Sequence, residues 1–113
     1  MNPSRNAAES SPGVADGFSA LGDPARLAIL AALSGGTRCV CEMIPQLGMA
    51  QNLLSYHLRI LREAGLVSGA RRGRRIEYTI EGDGLRALQR ELEGLVPASG
   101  SRIRQASLRS SAS

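Results

Sequence analysis

The sequence predicts a mainly α-helical domain that carries one β-hairpin, in the order α-α-α-α-β-β-α. Leucine and its apolar neighbours recur at three- and four-residue spacing from residue 14 to 61 and again from 85 to 95, the period of a helix with one buried face. Between residues 66 and 80 that period gives way to strand-like alternation around an arginine-rich, glycine-bearing turn. Glycines and one Asp-Pro pair punctuate the remainder as helix stops and starts.

Residues 14–21 form a short apolar helix stopped by Gly22. Asp23 is an N-cap acid, and Pro24 suits the first helical position that follows it. The next helix, ARLAILAALS, places Leu27, Leu30 and Leu33 on a buried stripe and ends at Gly35-Gly36. Thr37 is positioned to cap the segment RCVCEMIPQLG, which Gly48 stops. In AQNLLSYHLRILREAG, Leu54, Leu58 and Leu61 share one face, with Gln51, Ser55, Arg59 and Arg62 on a polar stripe beside it and Gly65 as C-cap. LVSGA and RRIEYTI, joined by ARRGR, read as a hairpin with an arginine tip. From Asp83 onward Leu85, Leu88, Leu92 and Leu95 restore the helical period.

The chain has 113 residues, enough for one domain and too few for two cores. Residues 1–12 read as a polar, flexible arm, 13–96 as the folded domain, and 97–113, with six serines and three arginines, as a basic disordered tail. Only Phe18, Tyr56 and Tyr78 are aromatic, so the core is short of large rings and a partner subunit is expected to contribute to stability. The net charge is +4 and every one of the 14 basic residues is arginine, whose planar fork suits phosphate and guanine, so a polyanionic partner is expected. Two cysteines are too few for a disulfide-stapled secreted scaffold, and no apolar run approaches the ~20 residues of a membrane helix. These features exclude a membrane protein and argue against an extracellular one, so a cytoplasmic location is expected.

A short helix, a glycine-bearing turn and a longer helix with a polar face make a helix-turn-helix, and the hairpin behind it adds a wing. Such a helix fits the major groove of double-stranded DNA. Gln51 and Asn52 suit adenine, Ser55, Tyr56 and His57 reach bases or backbone, and Arg59 and Arg62 lie on the flanking stripe. Arg71, Arg72, Arg74 and Arg75 surround Gly73, and four cations at one tip repel one another unless an anion such as phosphate lies between them.

The segments FSALGDPARLAILAAL, CVCEM, SYHLRILREAGLV and RRGRRIEYTI together resemble the ArsR/SmtB family of metal-responsive winged-helix repressors, over roughly residues 18–95. The resemblance implies a homodimer built from the first and last helices, a partly palindromic operator, and release of that DNA when an inducer binds. The leucine stripe of the last helix independently suits a dimer face. Where the family's recognition helix often opens with a serine cap and a proline, this chain has Ala50 and Asn52.

Cys39-Val40-Cys41 resembles the family's arsenic-sensing site, in which a C-V-C and a further cysteine bind As(III) or Sb(III); the third position falls on Ile44, which has no donor atom. Thiolates select soft ions, and a helix N-terminus and Arg38 both favour thiolate here. Zinc wants about four ligands, and the last helix has no histidine for the family's other metal site, so zinc and nickel are disfavoured. Cadmium or lead sensing, or a thiol-based redox switch, are the alternatives. An enzyme is not expected, because C-x-C is no C-x-x-C redox motif. In an intact helix residues two apart diverge by about 200°. On that reading two sulfurs meet at one ion only if the helix start unwinds, and a disulfide between them is strained. Pro45, unable to donate to the carbonyl of Cys41, is expected to weaken that turn.

Overall fold

The computed structural model describes residues 12–98. The arm expected over residues 1–12, apart from its last residue, and the tail expected over 97–113, apart from its first two residues, lie outside them. The elements are α1 (Pro12–Leu21), α2 (Pro24–Leu33), β1 (Arg38–Cys39), α3 (Val40–Leu47), α4 (Gln51–Glu63), β2 (Val67–Arg72), β3 (Arg75–Ile80) and α5 (Gly82–Leu95). The strands form one antiparallel sheet in the order β1-β3-β2. Among the described residues no helix is long and apolar enough to cross a membrane.

Asp23 caps α2 as expected: its carboxylate accepts from the backbone N–H groups of Ala25 at 2.8 Å and Arg26 at 3.2 Å. Burial would raise the pKa of this carboxyl, but those two amides and the charge of Arg26 outweigh it and hold the group below its ordinary value. Leu27 departs from expectation. It is 51% exposed, because the buried stripe of α2 runs through Ile29, Leu30, Ala32 and Leu33 and leaves Leu27 at its edge.

The third helix begins at Val40 rather than Arg38, and its N-cap is Cys39, not Thr37. Arg38 and Cys39 are instead drawn into the sheet, opposite Tyr78 and Glu77 of β3. The Thr37 hydroxyl lies 2.8 Å from that of Thr79, fastening the entry to β1. A two-residue strand has no alternation to read, so only pairing with β3 reveals it. Pro45 sits inside α3, which continues through it to Leu47.

The core gathers Ile29, Leu30 and Leu33 of α2, Met43 of α3, Leu54, Leu58 and Leu61 of α4, Leu66, Val67, Tyr78, and Leu88 of α5. Leu54, Leu58 and Leu61 are fully buried, so the polar stripe of α4 is fixed in orientation by its apolar one. The stripe of α5 is only half used: Leu88 is buried, while Leu92 is 51% and Leu95 73% exposed.

Two glycines set the approach of α5. Gly17 of α1 leaves room for the Leu88 side chain, and a Cβ on Gly84 would overlap the carbonyl oxygen of Gly65. That oxygen belongs to backbone and cannot rotate away. A Gly→Ala change inside a helix ordinarily stabilises by ~0.5–1 kcal/mol. Gly84→Ala is expected instead to destabilise by roughly 1–3 kcal/mol through the displacement it forces on α5. Urea unfolding checks this, and a gain in stability would refute the close approach.

Candidate nucleic-acid interface and thiol site

Helix α3 ends on Gly48, which adopts the left-handed conformation at φ 63°. The turn delivers α4 with Gln51, Asn52, Ser55, Tyr56, Arg59 and Arg62 all exposed. Its N-cap is Ala50, which supplies no side-chain bond; the carbonyl of Ala50 accepts from Leu54 N at 2.9 Å.

His57 does not stand with the exposed set. It is buried at 6% exposure, its Nδ1 3.2 Å from Nη1 of Arg26. A guanidinium only donates, so Nδ1 is the acceptor of this bond. Arg26 also donates through Nε to the Ala20 carbonyl at 2.7 Å, and the pair therefore ties α4 to α2 and the end of α1. The signal lay in the spacing: His57 falls three residues after Leu54 and four before Leu61, on the apolar face.

On the wing, Arg72 and Arg75 face each other across the last rung, and Gly73 takes φ 64° in the turn. The four arginines differ in their partners. Arg71 Nη1 donates to the Gly73 carbonyl at 3.4 Å, Arg72 Nε lies 3.4 Å from Glu77, and Arg75 Nη2 lies 4.0 Å from Glu42. Arg74 makes no ion pair among the described residues.

Cys39 and Cys41 are joined as a disulfide, their Cα atoms 5.3 Å apart. This corrects the expectation that the helix start must unwind before the sulfurs can meet. Cys39 precedes the helix in extended conformation, φ −88° and ψ 158°, so the helical period does not govern its side chain. The sulfurs meet with α3 intact. Cys39 is buried and Cys41 exposed. The backbone N–H of Cys39 donates to Oε1 of Glu42 at 2.9 Å, and the other oxygen of that carboxylate is the one nearest Arg75. A cleft of about 270 Å³ joins the two cysteines to Gln51 and Ser55 of α4 and to Arg74 and Arg75 of the wing.

The sequence profile of the bacterial regulatory proteins of the arsR family matches residues 23–68. The transcriptional repressor SdpR of Bacillus subtilis is 33% identical over 63 residues, which cover 56% of this chain and 70% of that protein. The chain belongs to the arsR family. Within it, the repressor SmtB of Mycobacterium tuberculosis is 44% identical over 61 residues, 54% of this chain and 45% of that protein. The arsenical resistance operon repressor of Escherichia coli is 38% identical over 64 residues, 56% of this chain and 55% of that protein. This chain thus spans about half the length of those two relatives. An ArsR-like regulator from Rhodococcus sp. RHA1 superposes with a TM-score of 0.71 at 28% identity, covering 88% of this chain and 96% of that one. The winged helix-turn-helix read from the sequence is therefore the fold, with β1 added at the edge of the wing.

In this arsR-family chain the residue that sequence reading passed over is Glu42. It touches the backbone of one cysteine and approaches an arginine of the wing, and the only prior signal was its place three residues after the N-cap.

Proposed function

We propose that the chain is a homodimeric transcriptional repressor that binds double-stranded operator DNA and leaves it when As(III) or Sb(III) is captured by the thiolates of Cys39 and Cys41. The observation that carries this reading is the shared cleft: Cys39 and Cys41 line the same cavity as Gln51, Ser55, Arg74 and Arg75, four of the residues proposed to meet DNA. The E. coli relative, named a repressor of arsenical resistance, supports the choice of ion.

Bases are read by Gln51, Asn52, Ser55 and Tyr56; Arg59, Arg62 and the wing arginines neutralise phosphate. Cys39 and Cys41 supply two soft donors, which fits a thiophilic ligand needing few protein bonds and does not fit zinc. Capture biases the wing through Glu42, which holds the Cys39 amide on one oxygen and faces Arg75 with the other. Release requires only that the DNA-free state bind the ligand more tightly. The second copy packs on α1 and α5, where Leu92 and Leu95 lie exposed.

The test is an operator-binding assay across salt and arsenite concentrations. Affinity is expected to fall steeply with ionic strength, and arsenite is expected to weaken it by about 5–150-fold at fixed salt. No response to arsenite by the reduced chain would sink the sensing half. Glu42→Gln keeps the acceptor for the Cys39 amide and loses the charge facing Arg75. Because that ion pair is half exposed, stability should change by less than about 0.5 kcal/mol, while the arsenite-induced loss of DNA affinity shrinks. An unchanged loss would remove Glu42 from the path.

The disulfide favours a second reading, release by oxidation of the pair. Anaerobic titration separates the two: arsenite releases DNA with the thiols kept reduced, whereas the redox reading needs an oxidant.

A further inference from the structure

Trivalent arsenic and antimony make three bonds, and this chain has two cysteines in all. No group of three or more His, Cys, Asp or Glu side chains able to hold a metal ion occurs among the described residues. His57 is engaged with Arg26 in the interior. Beside the two cysteines the cleft has an apolar part, formed by Val40 and Ile44 of α3, Ile76 of β3 and Tyr78, and a polar part formed by Gln51, Ser55, Arg74 and Arg75. Ile44, the position where the resemblance puts a third thiol, is half-buried, and Ile76 is 39% exposed. The cleft offers two soft donors, and at Ile44 it has hydrocarbon where the resemblance puts a third.

From this we infer that the preferred effector is a monosubstituted trivalent organoarsenical, R–As(OH)₂, whose carbon substituent lies against Ile44, Ile76 and Tyr78. The inference rests on Cys39 and Cys41 being the capture site and narrows the ligand they take. Inorganic arsenite held by the same two sulfurs keeps a hydroxyl against apolar side chains, an unfavourable burial that a carbon substituent avoids. Size permits the substituent: the cleft, at about 270 Å³, exceeds the ~150 Å³ cavity known to hold benzene.

The chemistry balances. A phosphine or a monothiol first reduces the disulfide; with a monothiol, two equivalents become one external disulfide and leave two cysteine thiols. Each thiol then displaces one hydroxyl from R–As(OH)₂. Two As–O bonds break, two As–S bonds form, and the two thiol protons depart with the hydroxyls as two waters. Arsenic stays trivalent and the As–C bond is untouched.

The test titrates the full chain, reduced with a phosphine under anaerobic conditions, with phenylarsine oxide and separately with arsenite. Intact mass reads the adduct and competition reads affinity. Phenylarsine oxide is expected to form one adduct per chain and to bind at least roughly tenfold more tightly than arsenite. Ile76→Ser is expected to weaken phenylarsine oxide and leave arsenite unchanged, while Ile44→Cys, supplying a third thiolate, reverses the preference toward arsenite. Arsenite binding as tightly as phenylarsine oxide to the unmodified chain overturns the proposal and leaves the capture site standing. Absence of any adduct with either compound overturns the capture site as well. Equal weakening of both ligands by Ile76→Ser overturns the assignment of the substituent's seat.

Discussion

The double replacement Cys39→Ser/Cys41→Ser is expected to yield a repressor that binds its operator normally and stays bound when arsenite is added. A serine hydroxyl is a hard donor that remains protonated at neutral pH, so neither of the two bonds proposed for the ion can form. Operator binding survives because no DNA contact is assigned to either sulfur and because Glu42 holds residue 39 through its backbone N–H, which substitution leaves in place. The wild type should lose about 5–150-fold in affinity on adding arsenite, whereas the variant should change by less than about twofold, under 0.5 kcal/mol. Cys39 is 1% exposed, and a serine there buries a hydroxyl, so Cys39→Ala/Cys41→Ser serves as a second version free of that cost. Cys41 is exposed, and Cys41→Ser alone should abolish release at little expense in stability. A fluorescence anisotropy titration decides the matter: arsenite-driven release by these variants moves the sensor elsewhere.

What the sequence made legible was whatever repeats within one element. Leu54, Leu58 and Leu61 announced the buried face of α4, Asp23-Pro24 announced the start of α2, and Gly73 among arginines announced the turn of the wing. Contacts across the fold were harder. Nothing local tells that Cys39 is extended, because its conformation comes from pairing with Glu77, far along the chain. The error about unwinding follows from that one residue: placed inside a helix, Cys39 points away from Cys41, and placed before it, the two sulfurs meet. His57 was left between a DNA contact and a structural role for a different reason. Its spacing put it on the apolar face, but its chemistry suggested a DNA contact, and burial beside Arg26 decided for the spacing. The stripe of α5 was readable but its partner was not, since periodicity says that a face is apolar and is silent on what covers it. The cleft was the least legible feature. Its walls come from α3, the first turn of α4 and the wing, and only the sheet brings the third of these beside the other two.

Among the wing arginines, Arg74→Ala is expected to weaken DNA binding more than Arg72→Ala does. All four lie at one hairpin tip, and a count of charges ranks them equally; their partners do not. The charge of Arg72 is already faced by Glu77 at 3.4 Å, so moving it to phosphate gives up an interaction inside the protein, while Arg74 has no ion pair among the described residues to surrender. The difference is readable without knowing the operator's sequence, because phosphate contacts show in the salt dependence. Each neutralised phosphate contributes about −0.9 to the slope of log K against log salt. Arg74→Ala should therefore flatten that slope by about one unit if a single wing engages the duplex, and by about two if a dimer lays both wings on it. Arg75 lies between these cases, 4.0 Å from a half-exposed Glu42 that holds it weakly in high dielectric. Loss of affinity should be uniform across duplexes of different sequence, which separates a phosphate contact from a base contact. A slope unchanged by Arg74→Ala, with affinity falling for one sequence alone, would put that side chain in a groove rather than on the backbone. The size of the change also reports on α5: a two-unit effect requires a second copy, and the exposed Leu92 and Leu95 are the surface on which that copy would rest. Leu92→Asp combined with Arg74→Ala should then reduce the two-unit effect toward one, because a chain that cannot pair brings only one wing to the DNA.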